Sequence, residues 1–177
     1  MIRLFVGLDL PDAIKQTLLG CAGGVEGARW QSAEQMHLTL RFIGDVEEQV
    51  GEAALEALGT VRHVPFEMHL EACGFFGKPS KPRVIYASAK PAGPLKSLHE
   101  KIDNALRAGG IPPDERKFTP HVTLARLKGA KAGRVVDYVA AHSGLRTPAF
   151  EVDAFHLFQS TLSHSGAQYD IVASFGG

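Results

Sequence analysis

The chain has 177 residues, 45% of them hydrophobic and 21% charged, which suits a soluble globular domain with a substantial core. Lys plus Arg balance Asp plus Glu at 19 each, so the formal net charge is zero with histidine neutral. That balance excludes a broad electrostatic grip on long nucleic acid, and leaves room for a small basic cleft around one phosphate.

In chain order, "IRLFVGLDLP" is apolar, ends at Pro11 and reads as a buried strand. Ile14, Leu18 and Cys21 follow at helical spacing, and Gly23 and Gly24 stop that helix. "MHLTLRFIG" alternates: His37, Thr39 and Arg41 face one way, and Leu38, Leu40 and Phe42 the other. Gly44 and Asp45 lead into a second helix with Val50, Ala54, Leu58 and Val61 as its apolar stripe. "PFEMHLEACGFF" and "RVIYASA" are two strands separated by the loop "GKPSKP". A third helix starts near Pro94 and presents Leu95, Leu98, Ile102 and Leu106 on one face. After the loop "GGIPPDERK" comes the strand "FTPHVTLARL", with Pro120 tolerable at its start. A weaker helix around Arg134–His142 precedes two last strands near "FEVDAFHLFQS" and "AQYDIVASF". The pattern predicts one α+β domain over residues 1–177, in two similar lobes that each contribute one His-x-Thr strand.

The two tetrapeptides "HLTL" and "HVTL", 84 residues apart, carry the functional signal. On a strand, residues i and i+2 share a face, so His37 projects with Thr39 and His121 with Thr123. Packing asks for the intervening apolar residues but not for histidine opposite them. A lone histidine on a strand is most simply a partly solvated residue; the repetition, once per half, points instead to two imidazoles meeting across one cleft. Histidine titrates near neutrality, so one ring can take a proton while the other gives one. Each threonine hydroxyl can donate to an oxygen that gains charge in the transition state. The set suits in-line substitution at a phosphodiester, without a metal and without a covalent intermediate.

Other chemistries find little support. Cys21 and Cys73 have no CxxC or zinc spacing, and no H-x-x-x-H or H-E-x-x-H occurs, so no metal and no cofactor are expected. "GFFGK" is too short for a P-loop, and no G-x-S-x-G is present. The apolar run at the start is too short for a signal peptide and no stretch could span a membrane, so a cytoplasmic protein is expected. His63, His69, His99, His142, His156 and His164 lack a partner pattern, and Phe42, Phe75, Phe76 and Tyr86 could stack a base or simply fill the core.

"HLTL" with "RFIGD", and "FTPHVTLAR", resemble the paired HxTx signatures of the 2H phosphoesterase superfamily. "RLFVGLDLP", "WQSAEQMHLTLRFIG", "RVIYA" and "FHLFQSTLSHSGAQY" are similar to its RNA 2',3'-cyclic phosphodiesterase branch, long called bacterial 2'-5' RNA ligases. The resemblance spans nearly the whole chain. It implies a LigT-like α+β fold: two pseudo-symmetric lobes of mostly antiparallel sheet with flanking helices around a central groove. It also implies a monomer that acts, without a metal, on RNA ends bearing a 2',3'-cyclic phosphate and opens them to a 2'-phosphate. His37 would be the proton donor and His121 the proton acceptor, with Thr39, Thr123 and Arg126 on the phosphate. Strand alternation puts Arg126 on the Leu124 face, opposite His121, unless a bulge turns it; Arg41 has the right parity and competes for the role. Reversible ATP-independent 2'-5' ligation, hydrolysis of small cyclic nucleotides, and non-catalytic RNA-end binding are the alternatives.

Overall fold

The computed structural model describes residues 1–176. Its elements are β1 (Ile2–Leu8), α1 (Asp12–Leu19), β2 (Ala28–Trp30), a 3-10 turn (Ala33–Gln35), β3 (Leu38–Val46), α2 (Glu48–Leu58), β4 (Phe66–Lys78), β5 (Lys81–Lys90), α3 (Ala92–Ala108), β6 (His121–Leu127), α4 (Ala132–Ala141), β7 (Phe150–Val152), β8 (Ala154–Ser163) and β9 (Gly166–Gly176). The main sheet path runs β7-β4-β5-β6-β3-β1-β8-β9, with β2 added to β6, and the named pairings are antiparallel.

The sheet is two lobes, β7-β4-β5-β6 and β3-β1-β8-β9, joined where β3 and β6 pair only through Leu38 and Val122. The lobes are not the two halves of the chain, because β8 and β9 return from the C-terminal end to complete the lobe begun by β1 and β3. The expected last-but-one strand is in fact two. Asp153 separates β7, which pairs with β4 at one end of the sheet, from β8, which pairs with β1 in the other lobe.

The other differences are local. The first helix ends at Leu19, before Cys21, and the second at Leu58, before Val61; Gly20 and Gly59 cap them through backbone N–H groups. β4 and β5 run through most of the expected loop, leaving Pro79 and Ser80 as the turn. The three-residue β2 carries too little periodicity to be read from sequence; its pairing to β6 alone defines it.

The helices back the sheet with the predicted stripes. Leu95, Leu98, Ile102 and Leu106 of α3 are buried, and this helix packs on β3 and α2, while α4 packs on β4 and β5. Leu4, Val6, Leu8, Leu38, Leu40, Ile85, Val122 and Leu124 bury the backed face of the central strands, each side chain contributing roughly 1.5–3 kcal/mol on leaving water. The opposite face is left for chemistry. No helix among the described residues is long and apolar enough to cross a membrane.

Candidate active site

Both His-x-Thr strands carry the same irregularity. Along β1 and β3, Gly7 pairs with Thr39 and Val6 with Arg41, which skips Leu40. Along β5 and β6, Tyr86 pairs with Thr123 and Ile85 with Ala125, which skips Leu124. A bulge therefore follows each His-x-Thr at the leucine and reverses the alternation beyond it. The bulged carbonyls are satisfied from outside the ladder. His99 Nδ1–H donates to Leu40 O at 2.6 Å, and the Gln31 backbone N–H donates to Leu124 O at 2.9 Å.

The reversal sets the two arginines apart. Arg126 turns onto the His121 face and lines the groove, as it could not on an unbroken strand. Arg41 goes the other way and is only 2% exposed. Its Nε donates to Asp103 at 2.9 Å, and its other nitrogens donate to Phe42 O and Pro112 O at 2.7 Å each. The expectation that Arg41 shares a face with His37 is thus corrected: it is a buried strut between β3, α3 and the loop before β6. Phe42, which alternation put on the Leu38 face, is 36% exposed on the groove wall, with the Arg116 guanidinium 4.3 Å above its ring.

His37, Thr39, His121, Thr123 and Arg126 all line one groove of about 690 Å³, a volume that accommodates a small ligand. The two imidazoles are oriented by the same device. His37 Nδ1–H donates to Gln35 O at 2.8 Å, and His121 Nδ1–H donates to Thr119 O; each acceptor lies two residues upstream of its histidine. With the proton held on Nδ1, Nε2 is the free base in each neutral ring. The Thr39 hydroxyl donates to His37 Nε2 at 3.0 Å.

Aromatic rings pin both imidazoles. Phe5 and Tyr169 lie 4.8 Å from His37, and Phe5 stacks on Phe158 at 4.9 Å. Phe76 lies 4.8 Å from His121 and stacks on Tyr86 at 4.2 Å. Burial among these rings pushes the His37 pKa down to about 4, aided by the charge of Arg126 and opposed by the Gln35 hydrogen bond. His121 is lowered by the same causes, burial first. The charge of Arg126, which lines the same groove, lowers both rings.

Several groove residues were not singled out from sequence. Phe5 and Tyr169 reach the site through strand register that no local pattern reports. His99 stacks on Phe118 at 4.2 Å in the groove wall, where its only sequence signal was its place in an amphipathic helix. Arg3, Arg116 and Lys117 add cations around the rim, with Asp114 as the carboxylate facing them, bound by Arg116 Nε at 3.0 Å. The groove is thus locally basic in a chain of zero net charge. Among the described residues, no three His, Cys, Asp or Glu side chains gather as potential metal ligands.

A bilobed antiparallel sheet with one His-x-Thr strand from each lobe on a shared groove defines a class of protein. Residues 12–163 match the family model described as the 2'-5' RNA ligase superfamily, and the chain belongs to it. Its relatives include proteins named RNA 2',3'-cyclic phosphodiesterase. One from Aeropyrum pernix is 35% identical over 77% of this chain and 78% of its own length. Another from Archaeoglobus fulgidus is 33% identical over 95% of this chain and 96% of its own length. Among solved structures, the protein TT0787 of Thermus thermophilus superposes with a TM-score of 0.78 at 28% identity, covering 98% of this chain and 97% of that one. The expected 2H phosphoesterase fold is therefore the observed one.

Proposed function

We propose that this chain is a metal-independent RNA 2',3'-cyclic phosphodiesterase that opens the cyclic end to a 2'-phosphomonoester. The observation that carries the reading is the pair of imidazoles, each held through Nδ1 so that Nε2 is its basic nitrogen, lining one groove with Arg126. Relatives with that name, matched along most of the chain, support the substrate class.

In this mechanism His121 Nε2 takes a proton from water as the water oxygen bonds to phosphorus. The bond from phosphorus to O3' breaks, and His37 Nε2–H delivers a proton to O3'. Thr39, Thr123 and Arg126 hold the non-bridging oxygens, whose negative charge grows in the transition state. Thr39 already points its hydroxyl at His37 Nε2 and needs only a torsional change to donate to a bound phosphate. Both histidines and Arg126 come from one chain, so a monomer suffices. With a 5'-hydroxyl in place of water, the same groups run the 2'-5' ligation after which the superfamily is named.

The test is to incubate purified protein, in EDTA, with an oligoribonucleotide ending in 2',3'-cyclic phosphate, and to resolve the 2'- and 3'-phosphate products. Accumulation of the 2'-phosphate is expected. A 3'-phosphate product, or turnover that chelator abolishes, contradicts the mechanism. Turnover of cyclic mononucleotides but not of RNA ends shifts the substrate to small nucleotides, and binding of the end without turnover makes the chain a recognition module.

A further inference from the structure

The groove continues past Tyr169. A second cavity of about 640 Å³ opens between β2, the 3-10 turn and the β8–β9 hairpin. Ala167 and Tyr169 line both spaces, and the Tyr169 ring stands 4.8 Å from His37 on the groove side. Gln35 joins them from the other wall: its carbonyl holds the His37 ring, and its side chain lines the cavity and donates to Ala167 O at 2.9 Å.

Gln31 is the informative residue in this cavity. The residue is only 9% exposed and its backbone N–H is committed to Leu124 O, while its side chain lines the cavity. No buried side-chain polar atom among the described residues lacks a partner, so this amide is open to the cavity it lines, where a ligand can replace its water. Beside it is Trp30, which packs on Tyr138 with ring centroids 5.3 Å apart and also lines the cavity. The charge of the walls selects the ligand. Glu34 and Asp170 face the cavity against Arg29, an excess of carboxylate that repels phosphate and accepts hydrogen bonds from amino or imino groups. The rim cations Arg3, Arg116, Lys117 and Arg126 all line the catalytic groove, not this cavity.

We propose that this cavity is a nucleobase subsite for the nucleotide adjoining the cyclic end, with Gln31 bonding the base edge and Trp30 flanking its ring. It rests on the phosphodiesterase reading and adds that the enzyme senses a strand rather than the cyclic phosphate alone. An amide that forms one hydrogen bond in the bound state only, worth about 1 kcal/mol, corresponds to roughly a five- to tenfold preference.

The experiment compares kcat/KM for adenosine 2',3'-cyclic phosphate and for the dinucleotide GpA ending in 2',3'-cyclic phosphate, in wild type, Gln31→Ala and Gln31→Leu. Gln31→Leu keeps the bulk without the amide, and melting curves control for folding. Wild type is expected to favour the dinucleotide, and both variants to lose about five- to tenfold on it through KM, with mononucleotide turnover unchanged. Equal losses on both substrates, or no loss on the dinucleotide, overturn the proposal. If wild type opens neither end, the phosphodiesterase reading fails. The subsite is then judged by titrating GpA carrying a 2'-phosphate into wild type and Gln31→Leu, where weaker binding by the variant supports it and equal affinities refute it.

Discussion

Phe42 and Arg126 occupy the same position in the two lobes. Each lies five residues after its histidine, beyond a bulged leucine, and each pairs with the strand outside it in matching register, Phe42 with Phe5 and Arg126 with Val84. The backbone repeat is thus residue for residue, while the side chains differ: a cation on the His121 side and an aromatic ring on the His37 side. At this position one lobe offers the groove a cation, and the other an apolar ring under Arg116.

The two arginines should separate cleanly by substitution. Arg126→Ala is expected to lower kcat/KM about 10²–10³-fold, as loss of a transition-state donor does, with the melting temperature close to wild type. Arg41→Ala leaves Asp103 facing Arg107 at 4.0 Å, strips two backbone carbonyls of their donor and should cost roughly 3 kcal/mol of stability. Denaturant melts beside steady-state rates read both quantities; a stable, inactive Arg41→Ala would return that residue to the phosphate.

Close backbone approach at Gly7 and Gly74 sets up the ring stacks around the histidines. A Cβ on Gly7 would sit 2.7 Å from Leu38 O, a backbone atom of the adjoining strand that cannot swing aside. A Cβ on Gly74 would sit 2.5 Å from the Tyr86 hydroxyl, at the end of a side chain that can rotate. Gly7→Ala should therefore cost more stability, on the order of 2–3 kcal/mol or more. Gly74→Ala should fold but displace Tyr86 from Phe76 and His121 and slow turnover. Thermal melts and kcat decide, and equal destabilisation by the two changes would contradict this account.

Burial of His37 links stability to pH. Its folded-state pKa of about 4 lies below the usual 6.5, so between these values the unfolded chain binds more protons. The stability is fully present above pH 6.5 and is lost as pH falls toward 4, by up to roughly 3 kcal/mol. His121 shifts in the same direction and adds to the loss. His37→Asn should flatten the fall in melting temperature between pH 6.5 and 5. An unchanged slope would show that the ring is not buried in its neutral form.

The same shifts shape the rate profile. Both rings are neutral near pH 7 in the free protein, and the acid–base pair needs one of them protonated. The bell for kcat/KM should therefore centre below pH 6.5, with apparent values that belong to the pair. A bound phosphate favours the protonated form, so the bell for kcat should lie at higher pH. Coincident profiles would mean that the phosphate does not approach the imidazoles.

The lining of the groove was more legible in the sequence than the topology. His37, Thr39, His121 and Thr123 could be placed because alternation is local and each pair precedes its bulge. Beyond the bulges the same rule fails, and it misassigned Arg41 and Phe42 because the skipped Leu40 just before them is visible only in the register with β1. Helix faces were read correctly in α3, where the stripe is long. The return of β8 to β1, the separate β7 and the short β2 are tertiary choices with no local signature. Tyr169 and Gln31 reach their cavities only through those choices, and so were out of reach.

The central claim is that the two lobes form a single catalytic unit around one phosphate. The most direct measurement is the rate of opening of an RNA 2',3'-cyclic end by His37→Ala, His121→Ala and the double variant. Each single change should cost about 10²–10⁴-fold, and the double variant little more than either, because residues acting as a unit are not additive. Wild-type rates in either single variant, or losses that simply multiply in the double, would contradict it.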